Sequence, residues 1–306
     1  MPEQTPTFIV IGALKCATTA LYATLQQHPK VRMSRVKETR YFAFEGDPPA
    51  FSGPGGAEWN RRVIPDWETY LSMFAGEGEN QTTIGEVSPV YLTSYFPERT
   101  AANIHRRLPE IRLIAVLRQP AERAYSNFAF LRGKGREPLA DFRQALAEEP
   151  KRKAAGWNPG FYYHENGAYA TNLQPYYTLF PQEHLHIVLF DDLLQHPARC
   201  LAELYDFIGV DSAQGPTRLE QANITRWPCS WALQAWLNAP PWIVGSLPGK
   251  IRRPLLKRLK DWNDRQVKPP PLNAAMRHEL TESYRNEILR LQDLIGRDLG
   301  HWLAAP

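Results

Sequence analysis

Four short apolar runs, rich in β-branched residues, alternate along the chain with segments whose apolar residues recur every three or four positions. The first, residues 8–11, breaks at Gly12 and gives way from about Thr18 to a helical pattern. His28-Pro29 closes that pattern, because proline disfavours helix in the residue before it. Runs at 82–86, 112–118 and 184–190 repeat the form. Helical spacing follows at 98–107, from about Ala121, at 168–180 and at 193–208. Unbroken apolar runs of this length suit strands covered on both faces, and their alternation with helices predicts an α/β fold with a mostly parallel central sheet flanked by helices. No linker interrupts the 306 residues, so the expectation is one domain, with 1–7 as a tail and 240–271 as a basic insertion or lid segment.

The remaining stretches are less regular. Residues 31–44 set Lys37-Glu38 before Tyr41, Phe42 and Phe44, which reads either as a surface turn over a core anchor or as a carboxylate in a partly apolar wall, its pKa raised towards that of a general base. Residues 48–65, rich in Gly and Pro, read as a long surface loop of the kind that forms substrate lids. A short helix is expected over 67–74, a surface helix over 141–149 and an irregular aromatic stretch over 156–163. Leu173, Tyr176, Tyr177 and Phe180 are expected in the core, and a last helix over 272–295 is expected to end at Gly296.

Composition narrows the partners. Hydrophobic residues make up 43% and charged ones 22%, and the net charge of +4 suits an anionic ligand while being too small to imply nucleic acid. The first residues lack a leader pattern and no apolar run approaches the roughly 20 residues of a membrane span, so the expected location is cytoplasmic. Cys16, Cys200 and Cys229 are widely spaced without metal-ligand spacing, which predicts no metal and a reduced compartment. Cys16 reads as a small buried thiol. Lys250, Arg252, Arg253, Lys257, Arg258 and Lys260, interleaved with leucines, form a basic amphipathic patch that is either a solvated face or a contact for an acidic acceptor or a peripheral membrane surface.

The candidate chemistry sits at strand ends, where open parallel sheets bind ligands. After the first strand, Gly12, Lys15, Cys16, Ala17, Thr18 and Thr19 make a strand-to-helix turn, and unpaired N–H groups with a lysine and two hydroxyls seat an anion. The turn lacks the second glycine and the Lys-Ser/Thr pair of the nucleoside-triphosphatase loop. Arg118 ends the third run with Ser126 eight residues on, a second anion seat, so the ligand should carry two separate anionic groups. Glu86, Ser88 and Tyr91 follow the second run and are pocket candidates. Arg226 and Trp227, in a late loop, can close over an anion and an aromatic ring. Asp191-Asp192 at the end of the fourth run either caps the next helix or resembles the magnesium-holding strand of triphosphatases, which keeps a Mg-ATP kinase or triphosphatase as the rival reading.

Together these stretches resemble the sulfotransferases that use 3′-phosphoadenosine-5′-phosphosulfate (PAPS), in particular the domains acting on heparan-type glycans and their bacterial relatives. Lys15, Thr18 and Thr19 match the family's K-x-x-T-T loop, and Arg118, Pro120, Arg123, Ala124 and Ser126 match its R-x-P…R-A-x-S segment. The resemblance implies a P-loop-like sulfotransferase fold. It gives the 5′-phosphosulfate to the first loop, the 3′-phosphate to Arg118 and Ser126, and the catalytic base to Glu38 in K-E-T-x-x-F, with Lys15 at the bond that breaks. Gly85 to Pro89 resembles a segment lining the acceptor cleft, so Lys37, Glu86, Ser88 and Tyr91 are the implied acceptor residues, although Val87 stands where relatives often carry lysine. The implied acceptor is a carbohydrate, a lipid or another small metabolite.

Overall fold

The computed structural model describes residues 5–76, 81–93, 95–220, 227–237, 249–263 and 267–304. Its centre is a five-stranded sheet built from β1 (Phe8–Gly12), β2 (Val31–Met33), β3 (Thr83–Val87), β4 (Arg112–Leu117) and β5 (Leu185–Leu189). The spatial order is β2-β3-β1-β4-β5, and every neighbouring pair runs parallel. Ile9 of β1 stands opposite Glu86 on one side and Leu113 on the other. Every residue of β1 is buried, as its unbroken apolar run requires of a central strand.

Parallel strands place all five carboxyl ends on one edge of the sheet. From β1 the chain enters the helix Thr18–Leu25 and returns on one side as β2, whereas from β4 it enters the helix Pro120–Gly133 and returns on the other side as β5. The crevice between the ends of β1 and β4 is therefore a topological switch point, where ligands bind in open α/β sheets. Helix Pro120–Gly133 starts there because Pro120 occupies its first turn and the Gln119 side chain accepts from the Glu122 N–H at 2.8 Å.

Several expectations are corrected. Residues 31–33 form an edge strand that the sequence pattern did not reveal. The 193–208 helix is two, Phe190–Gln195 and Pro197–Ile208, parted at His196 because Pro197 cannot supply the continuing N–H. The last helix is also two, Ala274–Ser283 and Arg285–Ile295, the second closing on Gly296 at φ 63° as expected. The 48–65 segment is not a free lid. It contains the helix Gly56–Arg61, and Ser52 N–H donates to the Gly156 carbonyl at 2.9 Å while Arg136 pairs with Glu58 at 2.5 Å. Leu173, Tyr176 and Phe180 are buried in the core, with Tyr177 half-buried beside them. Among the described residues no helix is long and apolar enough to cross a membrane.

Candidate active site

The first loop is shaped by close approach. A side chain at Gly12 would put its Cβ 2.4 Å from that of Leu92, so only glycine fits where β1 ends. Lys15 (φ 67°) and Ala17 (φ 56°) then take left-handed backbone, which L-residues hold only where their surroundings impose it. Ala17 is the N-cap of Thr18–Leu25, and no side chain caps that helix end. Its first N–H groups and positive dipole end consequently point at the crevice, flanked by the buried Thr18 and half-buried Thr19. Cys16 turns inward. Its Sγ lies 3.6 Å from the Leu14 carbonyl, and burial pushes the thiol pKa up against the pull of Arg123 and Arg118. Only its backbone is available to a ligand.

Lys15 is the cation of this loop. Its Nζ lies 4.0 Å from the centre of the Phe130 ring. Burial, and next the charge of Arg118, lower its pKa from 10.5 to about 8, with Lys134 and Lys37 adding to the effect. The loop lysine and the β4 arginine thus share one crevice as competing like charges, an arrangement that an anion relieves.

Arg118 leaves the end of β4 with its guanidinium 3.4 Å from Glu122 and 5.0 Å from the Phe190 ring centre, and its carbonyl accepts from Tyr169 Oη at 3.0 Å. Ser126 is half-buried in the helix that follows. Arg123, between them, is fully buried and donates to the Tyr163 carbonyl, so it supports the body of the protein. Trp227 Nε1 donates to the Ala129 carbonyl at 3.0 Å, which holds the indole against the same helix one turn past Ser126. Arg226 lies outside the described residues.

Glu38 stands beyond β2, tied to the neighbouring strand by its N–H donating to the Val87 carbonyl at 2.9 Å. Its carboxylate is gripped by Lys37 at 2.6 Å and Arg40 at 2.9 Å, and its side chain remains about a third exposed, at 31%. Burial alone would raise its pKa, but the two cations outweigh that and hold it below the ordinary glutamate value. This corrects the alternative in which an apolar wall raised it. Glu38 (φ 66°) and Arg40 (φ 61°) are again left-handed, so four of the five non-glycine residues with positive φ among those described lie in the two loops facing the crevice.

Glu86, Ser88 and Tyr91 do not line the cleft as expected, because all three are fully buried. The Glu86 carboxylate accepts from Tyr70 Oη at 2.6 Å, Ser88 Oγ at 2.6 Å, Tyr91 Oη at 2.8 Å and Thr39 Oγ1. Burial raises its pKa, and these four hydroxyls pull the other way. Arg40 N–H donates to Ser88 Oγ at 3.2 Å and Phe42 N–H to Tyr91 Oη at 3.3 Å. The cluster therefore stands behind residues 38–42 and fixes their backbone. It supports the loop that carries Glu38 from behind.

Two contributors escaped the sequence reading. Arg40 lies two positions past Glu38 and was legible from that spacing, whereas Lys134, after Phe130 on the far helix, carries no local signal. The rival's carboxylates are committed elsewhere: Asp191 accepts from Trp302 Nε1 at 3.3 Å and Asp192 pairs with Arg297 at 2.6 Å, both in the C-terminal segment. They sit in the first turn of helix Phe190–Gln195, whose N-cap is Leu189, and make no side-chain capping bond there.

Residues 6–214 match the family model described as Sulfotransferase family, about two thirds of the chain. This chain belongs to the sulfotransferase family. Among other family members, it is 28% identical to the bifunctional heparan sulfate N-deacetylase/N-sulfotransferase 2 of Bos taurus, the match covering 96% of this chain and 30% of that protein. It is 29% identical to heparan sulfate glucosamine 3-O-sulfotransferase 5 of Mus musculus over 72% of this chain and 57% of that one. The chain thus spans under two thirds of these relatives. The crystal structure of a sulfotransferase from Alicyclobacillus acidocaldarius superposes with a TM-score of 0.76 at 26% identity, covering 98% of this chain and all of that one. The sulfotransferase fold is thereby shown over nearly the whole length.

Proposed function

We propose that the protein transfers a sulfuryl group from PAPS to a hydroxyl or amine of a carbohydrate. The observation that carries this reading is the pair of cationic strand ends, Lys15 after β1 and Arg118 after β4, facing one switch-point crevice beside an uncapped helix N-terminus. A ligand with one phosphate needs only one of them. PAPS has an anionic group at each end of its ribose and so fits both. The loop N–H groups with Lys15, Thr18 and Thr19 hold its 5′ end, and Arg118 with Ser126 holds its 3′-phosphate. Bound there, PAPS supplies a sulfuryl group on a phosphate leaving group.

The protein's own part is positioning and charge. Glu38, ionised and open to the cleft, removes the proton from the acceptor nucleophile. Lys15 meets the negative charge that collects at the 5′ end, and its proton is retained more firmly once an anion sits beside it. Lys37 orients the carboxylate from the acceptor side. The relatives, a heparan sulfate N-deacetylase/N-sulfotransferase and a heparan sulfate glucosamine 3-O-sulfotransferase, support a glycan acceptor and leave nitrogen and oxygen nucleophiles equally open.

Calorimetric titration with adenosine 3′,5′-bisphosphate in EDTA tests the donor site. Wild-type protein should bind, and Arg118→Ala should bind about 10- to 100-fold more weakly, the range that loss of a charge-assisted hydrogen bond worth ~1.5–3 kcal/mol gives. Equal affinity in the two proteins would remove the 3′-phosphate assignment.

A further inference from the structure

The net positive charge of this protein resides in one element. Helix Gly249–Asn263 carries Lys250, Arg252, Arg253, Lys257, Arg258 and Lys260 against the single acid Asp261, a net +5. The whole chain is +4, so everything else sums to −1. Lys257, Arg258 and Lys260 are exposed, and none of them forms an ion pair among the described residues.

Exposed aromatic surface accompanies the charge. Trp262, one turn after Arg258 on the same helix, is 48% exposed, and Trp236, on the packed neighbouring helix Trp231–Leu237, is 37% exposed. Among the described residues Phe96 is the one other phenylalanine, tyrosine or tryptophan that stands so open. Val267, also 48% exposed, and the exposed Lys268 lie five and six positions past Trp262 in sequence. The opposite side of the long helix is anchored: Leu256 and Leu259 are half-buried, and Asn263 is buried, its carbonyl accepting from Cys229 N–H at 2.9 Å and its Oδ1 from Ser230 N–H at 2.8 Å. Arg132, 4.3 Å from the Trp231 ring centre, and the Trp227–Ala129 bond tie the pair to helix Pro120–Gly133, while Lys257, Arg258, Lys260, Trp236 and Trp262 stay exposed.

We propose that this helical pair docks on an anionic lipid bilayer, Lys257, Arg258 and Lys260 against the headgroups and Trp236 and Trp262 at the interface. Charge complementarity selects the anionic surface, and the open indoles select lipid over a soluble polyanion, because an indole gains most where one side is apolar and the other wet. A single weak signal gives only marginal membrane binding, and here charge and aromatic insertion act together. The inference stands apart from the donor and acceptor assignments.

Sedimentation of the full chain with large unilamellar vesicles tests it, comparing phosphatidylcholine alone with phosphatidylcholine containing about 30% phosphatidylserine. Partitioning should be at least about tenfold stronger on the anionic vesicles, should fall as salt rises from about 0.1 to 0.5 M, and should shift tryptophan emission to the blue. Lys257→Glu/Arg258→Glu/Lys260→Glu should lose about tenfold or more, and Trp236→Ser/Trp262→Ser should abolish the blue shift, each with a wild-type circular dichroism spectrum. Absence of partitioning to anionic vesicles, or partitioning unchanged in both variants, would overturn the proposal; retention on heparin without partitioning would assign the surface to a polyanion instead.

Discussion

Lys37 and Arg40 hold the Glu38 pKa down against the burial that would raise it, so the carboxylate proposed as the base is ionised before any acceptor arrives. That arrangement gives up basicity and gains a fixed charge at a fixed place. Arg40 is itself set by stacking 4.1 Å from the Trp59 ring centre. Arg40→Met keeps the stem on that ring and removes the charge, so the Glu38 pKa should rise and the acid limb of kcat/KM against pH should move up by about one unit. An unmoved limb would separate Arg40 from the tuning of Glu38. Lys15 gives the opposite sign. Its pKa of about 8 leaves it charged below that pH and neutral above it. Affinity for adenosine 3′,5′-bisphosphate should therefore hold steady to about pH 7 and fall by about tenfold or more as pH rises past 8, consistent with loss of a charge-assisted contact of ~1.5–3 kcal/mol. Lys15→Arg should flatten that profile in calorimetric titrations; an identical decline in the variant would place the titrating group elsewhere.

Among the elements, the stretch after helix Pro120–Gly133 is held by buried polar groups. Arg152 forms two bonds to Glu137, at 2.7 and 2.8 Å, and Tyr163 Oη donates to the same carboxylate at 2.6 Å, all three buried. Arg152→Ala would leave that carboxylate uncompensated and should destabilise the fold by about 3–5 kcal/mol, measured by urea unfolding. A loss under about 1 kcal/mol would show the pair to be dispensable. Such pairings were not legible in the sequence, where Glu137, Arg152 and Tyr163 lie in segments of ordinary polarity. The same holds for Glu86: its place at a strand end was readable, but not that Tyr70, Thr39 and Tyr91 converge on it and close it off from the cleft. β1 and β4 were readable because central parallel strands must be apolar on both faces, and β5, although at the sheet edge, because it keeps an apolar run. β2 was not, since three residues that include Arg32 are too few to show a period. The break at His196-Pro197 was readable in principle; the one at Tyr284 has neither proline nor glycine to announce it.

At the scale of the whole molecule, strand order turns separate sequence motifs into one site. Lys15, Glu38 and Arg118 are spread over about a third of the chain, and the parallel order β2-β3-β1-β4-β5 brings all three to one edge. The sequence showed which residues end the strands, while the sheet shows that β1 and β4 are neighbours at the switch point and that Glu38 reaches them across β3. Family membership and this geometry agree on a transferase in which charge and placement do the work. Its central claim is that Glu38 is the base. The direct measurement is transfer of radiolabelled sulfate from PAPS to a heparan-type oligosaccharide by wild-type protein and Glu38→Gln, both saturated with donor. The account predicts a loss of about 10²–10⁴ in kcat, as removal of a positioned base gives, with affinity for adenosine 3′,5′-bisphosphate equal or tighter because Lys37 and Arg40 are freed. A variant that transferred sulfate at a near wild-type rate would contradict it.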